Sequence, residues 1–157
     1  MIEIRQIDLQ SPGELEEALT LADSVFNVFE APEYSPEGVK EFHNFTKPEL
    51  IRPRIESNDM QMWIAILNGN IIGLIALRNA NHISMFFVDG SYHRQGVGRM
   101  LYNAARDHIC SSGRNFATVY ASPYGIPAYE NLGFIQLTEE QKISGLRCNP
   151  MASWIGK

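Results

Sequence analysis

The chain opens on Ile2-Glu3-Ile4-Arg5-Gln6-Ile7, where apolar and polar side chains alternate as in a half-buried strand. Ser11-Pro12-Gly13-Glu14 then predicts a helix start. Ser11 can cap, Pro12 suits the first helical position, and Glu14 completes a capping box. Leu15, Ala18, Leu19, Ala22, Val25 and Phe29 follow at helical spacing. The pattern breaks at Ala31-Pro32. Ser35-Pro36 opens a second helix with Val39, Phe42 and Phe45 on its apolar side. Lys47-Pro48 predicts its end, because the residue before proline resists the helical region.

The period then changes. Residues 61–67 and 71–78 are apolar, β-branched runs separated by Asn68-Gly69-Asn70, and Asn-Gly is the strongest short hairpin signal. A third run, 82–88, follows Asn79-Ala80-Asn81, so the three read as an antiparallel meander. Val97, Leu101, Ala104, Ala105, His108 and Ile109 share one face of a helix over roughly 96–111, closed by Ser112-Gly113. Residues 116–121 predict a strand, Pro123 to Asn131 a short helix, Gly133-Phe134 the start of another strand, and 145–155 a last one. The order is β, α, α, β, β, β, α, β, α, β, β: a mixed α/β chain, one sheet with helices packed on it, in a single domain over 1–157.

Composition narrows the reading. With 157 residues, the chain fits one domain that buries enough surface to need no staples. Thirteen Lys and Arg against eighteen Asp and Glu leave a net charge of −5, which offers no basic field for nucleic acid, although a locally basic groove stays open. Cys110 and Cys148 make neither a disulfide framework nor a Cys/His cluster, so no metal site is expected. The start lacks a charged leader before a long apolar run, and no stretch has eighteen consecutive apolar residues. The expectation is a soluble, cytoplasmic protein with no membrane partner.

One segment carries chemistry: Val88-Asp89-Gly90-Ser91-Tyr92-His93-Arg94-Gln95-Gly96-Val97-Gly98-Arg99-Met100-Leu101. A buried strand enters a loop, and a Gly-x-Gly pair opens an amphipathic helix. Glycine lets backbone approach a ligand, and the free N–H groups of a helix start attract anions. Arg94 and Arg99 add positive charge. The pattern lacks the GK[ST] of a P-loop, and Leu101 stands where a dinucleotide fingerprint needs its third glycine. It describes a pyrophosphate cradle.

This segment resembles the acetyl-CoA loop of the GCN5-related N-acetyltransferase (GNAT) family, Arg/Gln-x-x-Gly-x-Gly/Ala between the fourth strand and a long helix. Here it reads His93-Arg94-Gln95-Gly96-Val97-Gly98, with His93 where the family usually has Arg or Gln. The segment Pro127-Ala128-Tyr129-Glu130-Asn131-Leu132-Gly133-Phe134 is similar to a second family motif. The resemblance implies a mostly antiparallel sheet splayed between strands four and five and flanked by helices, with acetyl-CoA as co-substrate and an amine of a small molecule or peptide as acceptor. It implies pantetheine lying along backbone near Phe87 and Val88, with the phosphates held by residues from His93 to Arg99. Homodimers occur in the family, and the chain leaves that open.

Transfer needs a polarised thioester, a deprotonated amine and a protonated leaving thiolate. Tyr129 is the expected general acid, since a phenol stays protonated near neutrality, or else an aromatic wall of the slot. The base stays open between His82, Glu30 and an ordered water. Asn81-His82-Ile83-Ser84 is similar to the arylalkylamine N-acetyltransferases, with Ser84 where their second histidine stands. A solvent-facing strand-end histidine is the alternative. Phe29, Glu30, Tyr34 and Tyr124 are the expected acceptor contacts, while Phe26, Phe42, Phe45 and Trp63 read as core. A non-catalytic acyl-CoA-binding or sensing module on the same scaffold is the competing function.

Overall fold

The computed structural model describes residues 1–143 and 146–155. Residue 145 of the expected final strand, and residues 156–157 of the expected domain span, lie outside the described residues. In chain order the elements are β1 (Glu3–Gln6), α1 (Glu14–Phe29), α2 (Pro36–Phe45), α3 (Pro48–Glu56), β2 (Met60–Leu67), β3 (Asn70–Arg78) and β4 (His82–Val88). Then come α4 (Val97–Ser111), β5 (Phe116–Ala121), α5 (Ile126–Asn131), β6 (Ile135–Gln136), β7 (Gln141–Ile143) and β8 (Leu146–Trp154). The sheet runs β1-β2-β3-β4-β5-β8-β6, with β7 paired to β8. Every pairing is antiparallel except β4 with β5.

The sheet is covered on both faces. Val97, Leu101, Ala105 and Ile109 of α4 pack on Ile75, Leu77, Ile83 and Val119. Leu15, Leu19 and Phe26 of α1, with Phe42 of α2 and Ile51 of α3, pack on Met62, Ile64, Leu74 and Met85. Two covered faces explain why β2 and β3 read as continuous apolar runs rather than alternating ones. Trp63, Phe26 and Phe42 are buried as expected, and Phe45 packs against the second of these cores.

Three local features refine or correct the expectations. Lys47-Pro48 does end α2, whose C-cap is Thr46, but an unexpected helix follows at once: Pro48 stands at the first position of α3, where its missing N–H has no partner to lose. Glu14 does not complete a capping box. Gly13, at φ 77°, is the N-cap of α1 without a side-chain cap. The Glu14 carboxylate instead accepts two 2.8 Å hydrogen bonds from the Arg5 guanidinium and one of 2.7 Å from the Asp8 N–H. Finally, the short exposed strand β7 has no apolar face to announce it.

Two features position the site. β3 and β4 pair Leu77 with Ile83 but Ala76 with Met85, so Ser84 is an extra residue, a bulge. Across it the strand changes sides: Ile83 belongs to the α4 core, Met85 and Phe87 to the α1 core. Second, β4 meets β5 only at His82–Thr118 and Ile83–Val119. Beyond them the strands diverge, and the β4 edge from Ser84 to Val88 has no strand partner.

Glu14 joins β1 to α1 from a buried position, and the hydrogen bonds from Arg5 hold its carboxyl below the ordinary carboxylate range. Arg5→Ala is expected to cost about 2 kcal/mol at pH 7, less than a fully buried pair because Arg5 is partly solvated. A lowered folded-state value means the contribution is complete above the ordinary range and disappears on acidification. Urea unfolding at pH 7 and pH 4 checks this: the deficit shrinks at the lower pH.

Candidate active site

The divergence of β4 from β5 opens a groove of about 880 Å³. The peptide groups at its edge follow from the β3–β4 ladder. Asp89 N–H donates to the Ile72 carbonyl at 2.8 Å. Alternation in an antiparallel pair then turns the N–H and C=O of Phe87 toward β3 and those of Phe86 and Val88 toward the groove. Phe87 lines the groove, but its peptide groups serve the sheet. Phe86 is the edge residue that the sequence reading passed over.

At one end of the groove lies the loop before α4. Arg94 has φ 64° and Gly96 φ 85°, the left-handed region that favours glycine. The first intrahelical bond of α4 is Met100 N–H to the Gly96 carbonyl, which leaves the N–H groups of Val97, Gly98 and Arg99 without helical partners. A Cβ at Gly98 would meet the Phe86 ring at 3.7 Å and Val88 Cγ2 at 3.9 Å, both ordinary contacts. His93, Arg94, Gly96, Gly98 and Arg99 line the groove, and Arg99 is anchored by a 3.0 Å hydrogen bond to the Asn131 carbonyl. The Val97 side chain is buried in the α4 core, and Gln95 turns back to the Ser91 carbonyl. His93 Nε2 donates to the Val88 carbonyl at 2.7 Å, and its ring packs on Phe29. Phe29 is therefore not a groove residue: it supports His93 and Tyr124 from behind.

The middle of the groove gathers Glu30 and Tyr34 from one stretch of the chain and Ser122 and Tyr129 from another. Glu30 caps the end of α1. Burial, then the nearby Glu33 charge, pushes its carboxyl up to about 7, while the Ser122 hydroxyl holds it back. Tyr34 is raised by burial and by Glu30. Tyr129 sits on α5 between Phe86 and Phe134, and burial followed by the Glu30 and Tyr34 charges raises its phenol strongly. Tyr124 lines the mouth, its N–H bonded to Glu33 at 3.1 Å. Ser122 was missed because a lone serine at a strand end carries no sequence signal.

His82 stands where β4 and β5 still touch. Its Nδ1 lies 2.8 Å from the Thr118 hydroxyl, and its ring packs on Tyr120. Burial and then the Arg78 charge lower its pKa to about 4. Among the described residues, no cluster of His, Cys, Asp or Glu could hold a metal, and no helix is long and apolar enough to cross a membrane.

A family profile for the acetyltransferase (GNAT) domain matches residues 30–154. The chain belongs to the GNAT family. The GNAT fold also appears in solved structures. A GCN5-related N-acetyltransferase from Rhodopseudomonas palustris superimposes with TM-score 0.82 at 20% identity, over 98% of this chain and 95% of that one. The PaiA N-acetyltransferase from Thermoplasma acidophilum, in complex with coenzyme A, gives 0.80 at 20% identity, over 98% and 99%. The ribosomal-protein-S18-alanine N-acetyltransferase from Escherichia coli gives 0.65 at 20%, over 100% and 96%. No curated protein matches this GNAT chain with significance.

Gly96 is held by its backbone alone, since a Cβ there meets nothing within 4 Å. Gly96→Ala is expected to cost about 1 kcal/mol, read as a melting temperature lower by about 3 °C.

Proposed function

We propose that this GNAT protein is an N-acetyltransferase that moves the acetyl group of acetyl-CoA directly to a primary amine of a small molecule or peptide. The observation that carries the reading is the presence of Glu30 and Tyr129 in one buried groove beside the unpaired edge of β4. That groove fits the co-substrate. The Phe86 peptide groups and the Val88 N–H suit an extended amide chain, the Val88 carbonyl being taken by His93, and the free amides of α4 with Arg94 and Arg99 suit phosphates. When bound, acetyl-CoA supplies the activated acyl carbon.

In this reading Glu30 takes a proton from the incoming amine as the new C–N bond forms. A carboxyl near 7 is half ionised at neutral pH and basic enough to accept it. His82, at about 4, is a far weaker base, and its Nδ1 is engaged by Thr118. As the C–S bond breaks, Tyr129 gives its phenolic proton to the departing sulfur. The two steps are coupled. The Glu30 charge is one of the causes that raise the Tyr129 phenol, so neutralising Glu30 makes Tyr129 the stronger acid when it is needed. Return of the proton from Glu30 to Tyr129 resets the site. The acceptor enters past Tyr34 and Tyr124, which line the groove beside Glu30.

Calorimetric titration with acetyl-CoA, then thiol release over polyamines, arylalkylamines, amino acids, aminoglycosides and short peptides, tests the proposal. Binding with acceptor-dependent release is the expected result. Binding without release from any amine favours the acyl-CoA-binding module instead. Glu30→Gln is expected to lower kcat by 100-fold or more and to remove an activity rise centred near pH 7. The rise follows because only the ionised carboxylate accepts a proton. Tyr129→Phe is expected to lower kcat while leaving the calorimetric affinity for acetyl-CoA within about threefold.

A further inference from the structure

The end of the groove away from the phosphate loop holds a cation that the reaction above does not use. Arg78 closes β3 and stands opposite His82 in the β3–β4 ladder, and both line the groove. The strand alternation sets their side. Leu77 and Ile83, their neighbours, belong to the α4 core, so Arg78 and His82 face the α1 side. Ala117, Val119 and Ala121 likewise belong to the α4 core, which turns Thr118, Tyr120 and Ser122 to the side of Arg78 and Glu30.

Among the described residues Arg78 lacks both a counter-charge and a partner for its Nε. Its Nε is buried without a hydrogen-bond partner, and among the described residues no carboxylate forms an ion pair with it. A buried guanidinium donor left unpaired is costly unless a ligand supplies the missing charge. The neighbouring His82 is neutral near pH 7, so it adds no second positive charge beside Arg78.

Building on the acetyltransferase reading, we infer that the acceptor is an amine carrying a carboxylate, which Arg78 binds while the amine lies at Glu30. The strand spacing sets the length. Thr118 marks the His82 end and Ser122 the Glu30 end of β5. Four residues of strand at about 3.3 Å each put the two ends on the order of 13 Å apart. Arg78 lies two strands, about 10 Å, to the side of Thr118, so the backbone separation is about 16 Å; the Arg78 and Glu30 side chains reaching inward bring amine and carboxylate to about 10 Å, the span of an extended tripeptide. A planar guanidinium fork matches a carboxylate, and one positive charge balances it. A dianionic phosphate leaves a charge unmatched, and a polyamine places a second cation against Arg78.

Thiol-release kinetics with triglycine against triglycine amide, and with spermidine, test the assignment. The expected result is a KM for triglycine at least tenfold below that for its amide. Arg78→Gln is expected to raise the triglycine KM tenfold or more, with kcat within twofold and the amide unaffected. Arg78→Lys recovers part of the preference. Acetyl-CoA affinity and melting temperature report whether the variants fold, and if Arg78→Gln does not, the wild-type comparison with Arg78→Lys decides. Equal KM values for the acid and its amide, or better turnover of spermidine, overturn the carboxylate assignment and leave the acetyltransferase standing. Acetyl-CoA binding without thiol release from any amine, including the wider panel above, overturns both.

Discussion

β4 is held to β5 by two residue pairs, His82–Thr118 and Ile83–Val119, and the rest of the site depends on that short contact. A longer parallel pairing would close the groove and satisfy the Phe86 peptide groups and the Val88 N–H internally; the Val88 carbonyl already accepts from His93. Buried peptide groups require partners, so an unpaired edge inside a covered sheet is a place for a ligand backbone. The Ser84 bulge completes the arrangement. By shifting β4 one residue it sends Met85 and Phe87 to the α1 core, leaving Phe86 to pack beneath Gly98 and against Tyr129.

Burial sets the electrostatics of this space in one consistent direction. Removal of solvent disfavours the charged form of any titratable group. It therefore raises Glu30, Tyr34 and Tyr129 and lowers His82. Arg78, at the other end of the groove, has no carboxylate paired with it among the described residues. The groove therefore presents Glu30, Tyr34 and Tyr129 in its middle and a guanidinium at its far end.

Much of the fold was legible in the chain because its signals are local. Asn68 and Gly69, at φ 52° and 81°, make the turn that Asn-Gly announces, and the meander follows from it. The face of α4 read from Val97, Leu101, Ala105 and Ile109 is the face that is buried. Signals fell short where context added to them or overrode them. Pro48 reads as a stop and α2 does end there, but the same proline also starts α3, because a proline ends one helix and opens the next with equal ease. Glu14 has the spacing of a capping box, but Arg5 on a neighbouring strand is a stronger partner than a helix N–H.

The sequence by itself determined the conformation of the loop before α4, since it is built from consecutive residues. The left-handed Gly96, the free amides behind it and the flanking arginines need only the strand before and the helix after. It also determined the family and nominated Tyr129, Glu30 and His82 as candidates. Only the tertiary structure distinguishes their surroundings, because these depend on burial and on neighbours far along the chain: Ser122 beside Glu30 and Thr118 beside His82. It alone showed that the peptide groups of Phe86 face the groove and those of Phe87 do not, because that is decided by the register against β3. The unpaired cation at Arg78 is likewise invisible in a single sequence. A charge becomes informative only when the fold shows what does, and does not, stand opposite it.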